Sequence, residues 1–131
     1  DENQIALYLE NDKLIEQTLL KWYRQQAQLI FKDRLLILLK TTPWVKKIPQ
    51  LKVRSMKTRW GSCSSQGNIN LNLHLIKTPL ECIDYVILHE LCHILEFNHS
   101  HRFYNLMNQV CPVWQQYEKI LKDLGIFILP R

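Results

Sequence analysis

The run from Ile83 to Leu95 is apolar on nearly every side, yet it contains His89, Glu90 and His93. A helix without a polar face has to be surrounded by the rest of its protein. Two imidazoles and a carboxylate in that setting are costly unless something compensates them. The remaining chain must therefore wrap this segment and leave one opening to it. Residues four apart share a helix face, so His89 and His93 can grip one ion. Glu90, beside the first of them, can draw a proton from a metal-bound water without binding the metal itself. The pattern His89-Glu90-Leu91-Cys92-His93 thus points to zinc, one ion per chain.

Catalytic zinc takes three protein ligands and keeps one position open. The candidates for the third are His99, His101, His74 and Glu96. His99 lies six residues past His93, the HExxHxxxxxH separation of metzincins, and His101 comes next. The metzincin glycine three residues after the second histidine is replaced by Glu96, so Asn98, tolerant of left-handed backbone, is expected to make the turn. Glu96 is expected beside a ligand or at the surface, and His74 at the cleft or in solvent.

The other elements follow from periodicity. From about Asn11 to Leu39 apolar residues recur at helical spacing, giving one helix or a pair joined near Phe31, with Leu14, Ile15, Leu19 and Trp22 expected in the core. Residues 51–60 alternate in two phases, which a strand with a bulge at Ser55 reconciles, placing Lys52, Arg54, Lys57 and Arg59 on one face. Residues 61–67 read as a turn closed by Gly67. Ile69 to Leu75 alternates cleanly, with Asn70, Asn72 and His74 on the polar face of an expected edge strand that would pair with extended substrate. Thr78, Pro79 and Glu81 form a helix-start signature. Two further helices follow, the first capped by Ser100 and the last stopping at Gly125. The fold class is α+β, with an N-terminal helix or helix pair, a small antiparallel sheet, a central HExxH helix and C-terminal helices, in one domain over residues 1–131.

Charge is distributed unevenly. No Asp or Glu occurs between Arg34 and Pro79, while nine of the seventeen basic residues do, so region 34–79 is a nucleic-acid or anionic-substrate candidate. Four cysteines without a CxxC pair argue against a thiolate site and fit free thiols in a reducing cytoplasm. No apolar run approaches the roughly 20 residues that span a bilayer, so no membrane partner is expected.

Several separated segments together resemble a known family. Met56-Lys57-Thr58-Arg59-Trp60-Gly61-Ser62-Cys63-Ser64, then Ile69 to Leu73, then Tyr85-Val86 leading into His89 to His93, then Asn98-His99-Ser100 with Phe103, are similar to the YgjP-like metallopeptidases, relatives of the SprT-like and WLM zincins. The resemblance implies a zincin-like α+β domain with His89, His93 and His99 on zinc and Glu90 as general base. Members commonly have a β-rich segment ahead of the first helix, absent here, so the chain is read as truncated or minimal. They usually carry Trp where this chain has Tyr104. The RWGSCS segment is characteristic of them, and its default role is support of the active-site sheet.

Peptide-bond hydrolysis by a Glu90-activated water is the leading functional expectation, with a peptide or protein substrate held by Asn70, Asn72 and Arg59. The alternatives are hydrolysis of nucleotide phosphoanhydrides, a nucleic-acid-associated protease, and a non-catalytic zinc-binding interaction domain.

Overall fold

A computed structural model describes residues 1–130. Asp1 caps the first helix, α1 (Glu2–Leu38), by accepting from the Asn3 backbone N–H. α1 is one unbroken helix, not a pair, and starts well before Asn11. Only its second half enters the core, through Ala27, Phe31, Leu35 and Leu38 on one face. Leu14, Ile15, Leu19 and Trp22, expected in the core, are exposed. Helical periodicity specifies an apolar face but not what covers it. A 3₁₀ turn at Leu39–Thr41 ends the helix ahead of Pro43.

The sheet has three strands, β1 (Leu51–Arg54), β2 (Gly61–Cys63) and β3 (Ile69–Asn72), in the order β1-β3-β2. β1 runs parallel to β3 and β2 antiparallel to it, so the sheet is mixed and not antiparallel throughout. The strand expected over residues 51–60 stops at Arg54, and its four basic residues do not share a strand face. Gly61–Cys63, read as turn, is instead the strand that closes a hairpin with β3. Gly67 takes the expected positive φ, 82°, in the connection. β3 is central, with both edges occupied, and passes at Leu73–Lys77 into a second 3₁₀ turn.

Ile69 and Leu71 of β3, with Leu75 after it, face Phe31 and Leu35 of α1 and Ile87 and Leu91 of α2 (Leu80–Leu95) in one buried cluster. α2 starts after Pro79 without a side-chain cap. The capping box expected at Thr78 does not form, because the Thr78 hydroxyl donates to the Leu75 carbonyl. Two lateral anchors fix α2. Arg34 of α1 makes a bidentate pair with Asp84, both bonds 2.8 Å, and Trp44 Nε1–H donates to the Leu91 carbonyl at 2.8 Å.

α3 (His101–Val110) starts at Ser100, whose Oγ accepts from the Phe103 N–H as expected, and buries Phe103 and Met107. α4 (Trp114–Ile128) buries Leu121 and runs through Gly125 instead of stopping there. Among the described residues no helix is long and apolar enough to cross a membrane.

Candidate metal centre and cleft

His89 and His93 project from α2 four residues apart, and the chain leaves that helix at Glu96 in extended backbone, φ −124° and ψ 94°. Asn98 does not adopt the left-handed conformation. Segment 96–100 then brings His99 back to the pair. The Nε2 atoms lie 3.2 Å (His89 to His93), 3.0 Å (His93 to His99) and 3.2 Å (His99 to His89) apart. His93 Nδ1–H faces the Glu96 carbonyl at 3.1 Å, which leaves its Nε2 a bare acceptor when the ring is neutral.

Mutual hydrogen bonds cannot satisfy this triangle. Each nitrogen is either a donor or an acceptor, so among three at least one pair is of like kind. A single cation satisfies all three at once. Tetrahedral zinc with Zn–N bonds of about 2.0–2.1 Å would separate its ligand nitrogens by about 3.3–3.4 Å, a few tenths of an ångström from the spacings found. The donor set therefore fits a metal ion, and His89, His93 and His99 could hold one. His101 is exposed at the start of α3 and outside the trio. His74 is buried away from the cleft, between Ser55 Oγ at 3.2 Å and Lys77 Nζ at 3.0 Å. Glu96 contributes its carbonyl, not its carboxylate.

Burial governs the electrostatics. It pushes the His89 imidazole down to about 3, with His93 and His99 adding to the effect, and it lowers His93 against the hydrogen bond to Glu96. Both rings are thus held in the neutral form that ligates metal. Glu90 is 5% exposed, and burial raises its carboxyl to about 8 while Arg59 opposes the rise.

The trio opens on a cleft of about 610 Å³. One wall is Trp60 and β2, the floor includes Val86 and Glu90 of α2, and the far wall is Glu118, Leu121 and Lys122 of α4. Tyr85, one turn before His89, directs its hydroxyl at Glu118 Oε2 at 3.5 Å, and burial, reinforced by Glu118, raises that phenol. Arg59 lines the cleft, whereas Asn70 and Asn72 do not. Asn72 is fully buried, donating to the Met56 and Arg59 carbonyls at 2.9 and 2.7 Å and accepting from the His74 N–H. It pins the 56–59 loop. Asn70 donates to Ser62 Oγ across the hairpin.

Gly61 and the α4 wall are what sequence reasoning missed. A Cβ on Gly61 would come within 2.9 Å of Val86 Cγ1 and 3.1 Å of Glu90 Oε2. Glycine is what lets β2 lie against α2 beside Glu90. A glycine next to a short alternating run is the signal for such close approach. The α4 residues carried no comparable signal.

The layered α+β fold, with two helix-borne imidazoles joined by a third from the following segment and a buried carboxylate beside them, defines a zincin-like metallopeptidase domain. The model of the YgjP-like metallopeptidase domain matches residues 1–124, and the chain belongs to that family. Among solved structures it is similar to the metallopeptidase zymogen abylysin of Pyrococcus abyssi. That match has TM-score 0.64 and 21% identity, covering 72% of this chain and 94% of that one. It is also similar to the zymogen jannalysin of Methanocaldococcus jannaschii, with TM-score 0.61 and 25% identity, covering 72% and 96%. No curated protein matches the chain. The protein is a metallopeptidase, a peptide-bond hydrolase acting on peptide or protein substrate.

Proposed function

We propose that this metallopeptidase uses one zinc ion held by His89, His93 and His99, with Glu90 as general base. The observation that carries the reading is the 3.0–3.2 Å triangle of Nε2 atoms with a buried carboxylate on the same helix. Zinc in that position supplies a Lewis acid, brings the pKa of water from about 15.7 to about 7, and by its charge favours the ionised form of Glu90. Glu90 then accepts the proton of the attacking water at a carboxylate oxygen and delivers it to the departing amine.

Substrate alignment falls to β2 in place of Asn70 and Asn72. Asn72 N–H donates to the Trp60 carbonyl and Ser64 N–H to the Asn68 carbonyl. The antiparallel register then sends the N–H and C=O of Gly61 and Cys63 to the open edge of β2, beside the cleft. An extended peptide added there lies antiparallel over Glu90, with Arg59 available to its carbonyls. This gives the RWGSCS segment a function. Glu90→Gln should bind zinc as the parent does and lose peptide hydrolysis; retained turnover would refute the assignment.

Of the four basic residues expected on one strand face, Lys52, Arg54, Lys57 and Arg59, Arg59 alone lines the cleft, which disfavours nucleotide phosphoanhydrides as substrate. Nucleic-acid binding by region 34–79 is a separate reading, supported by its lack of acidic residues. It predicts DNA affinity that falls steeply with salt. Four free thiols, three of them buried, fit a cytoplasmic setting.

A further inference from the structure

Histidines that ligate metal almost always donate their second ring N–H to a carboxylate or carbonyl, and that bond fixes the ring. Here only His93 does so, to Glu96. Among the described residues His89 and His99 have no protein hydrogen-bond partner at Nδ1, yet the three rings converge to within 3.2 Å. Aromatic packing takes the place of the missing bonds. Phe103, fully buried, stacks on His93 at a centroid distance of 4.4 Å and an interplanar angle of 21°. It meets His89 edge-on at 4.9 Å and His99 edge-on at 5.1 Å. Its neighbour Tyr104 stacks with His99 at 6.3 Å and 27°, and with Trp114 at 5.4 Å and 26°. Trp114 is in turn held by its Nε1–H bond to Asn108 Oδ1 at 2.8 Å.

We propose that Phe103, Tyr104 and Trp114 form an aromatic buttress that sets the ring planes of the ligand histidines, with Tyr104 the positioning residue for His99. Residues 97–100 are exposed, so no core packing surrounds the His99 side chain on its own segment. The ring is oriented instead from α3 and α4 through the sequence His99, Tyr104, Trp114, Asn108. The inference rests on the reading that the three histidines hold the metal.

Affinity for Zn²⁺ alone, by competition with a chromophoric chelator, and the visible spectrum with Co²⁺ alone test it. Tyr104 is 37% exposed, so its truncation should leave the apo fold intact. Tyr104→Ala should raise the zinc Kd about 10- to 100-fold, the usual effect of removing a group that orients a ligand. It should also weaken the tetrahedral Co²⁺ bands with little change in apo Tm. Tyr104→Leu, which keeps apolar volume but lacks a ring, should behave like alanine, and Tyr104→Trp should restore parent affinity. Parental zinc affinity and Co²⁺ spectrum in Tyr104→Ala would overturn the proposal, as would full rescue by leucine. His99→Ala separates the two readings. If it binds zinc normally, the ligand set itself is wrong; if it loses zinc while Tyr104→Ala does not, only the buttress is.

Discussion

Gly61→Ala tests how closely the sheet must approach the helix that carries Glu90. The new methyl would sit 2.9 Å from Val86 Cγ1, 3.1 Å from Glu90 Oε2 and 3.3 Å from the Asn70 carbonyl oxygen. Carbon atoms rest at about 3.5–4.0 Å, so β2 and α2 must separate by roughly half an ångström or more. Val86 is 3% exposed and has nowhere to swing, and one of the other two contacts is backbone. Overpacking of this kind costs about 1–3 kcal/mol, which for a chain of this length lowers Tm by about 3–15 °C. The same separation moves Glu90 relative to the β2 edge, and misplacement approaching 1 Å costs up to about 100-fold in kcat. Thermal melts and hydrolysis of a fluorogenic peptide read the two effects. Adding Val86→Ala removes the shortest contact and should recover part of the stability, with a coupling of about 0.5–2 kcal/mol. Turnover should recover less, because the contact with Glu90 persists. Parental Tm and kcat in Gly61→Ala, or additivity within about 0.5 kcal/mol in the double variant, would refute the reasoning.

Asn72→Ala should lower stability by about 1–3 kcal/mol in urea unfolding, because the fully buried Asn72 amide is lost and the part-buried Met56 and Arg59 carbonyls lose their donor. Arg34→Ala and Asp84→Ala remove a pair whose side chains are 23% and 21% exposed. A double-mutant cycle should return a coupling of only about 1 kcal/mol or less, since solvent screens the pair. Stripping the metal with a chelator should abolish peptide hydrolysis reversibly and lower Tm by linkage, with about 2.7 kcal/mol at stake when zinc stands at 100 times its Kd. Cys63, the one cysteine not fully buried, has its thiol pushed up to about 11 by burial and Glu90. Its thiolate is therefore scarce at neutral pH and increases about tenfold per pH unit below that value. In chelated protein, iodoacetamide labelling should be slow at pH 8 and rise steeply towards pH 10; a rate already at its plateau at pH 8 would contradict the shift.

Local signals read well where the chain obeys them alone. The α2 segment showed itself by apolar residues all round, the Ser100 cap by a hydroxyl three residues before Phe103, and Gly67 by its place in a polar turn. The errors arose where tertiary contacts overrode local preference. Gly61-Ser62-Cys63 has turn composition yet forms a strand, because β3 has a second edge to pair and α2 lies too close for a side chain at Gly61. Gly125 has the look of a helix stop, but a Cβ there would lie 3.6 Å from Trp60 Cζ2, and the helix continues across that contact. Asn70 and Asn72 alternate as a solvated face should. The alternation could not reveal that β1 would cover the edge expected to stay open. Within the site, the spacing put forward His89, Glu90, His93 and His99, and the structure brings the three Nε2 atoms to within 3.2 Å of one another, while the α4 wall came from residues whose sequence pattern is that of any amphipathic helix.

The three imidazoles do not share one mechanical support. His89 and His93 ride on a helix that Arg34 and Trp44 clamp into the core, whereas His99 arrives on residues 96–100, the last four of which are exposed. Freeing the His99 ring would therefore need no core unpacking, whereas freeing either of the other two would disturb the buried helix. On the proposed ligand set, this division governs residence time more than equilibrium affinity. Metal exchange is then expected to be faster than global unfolding.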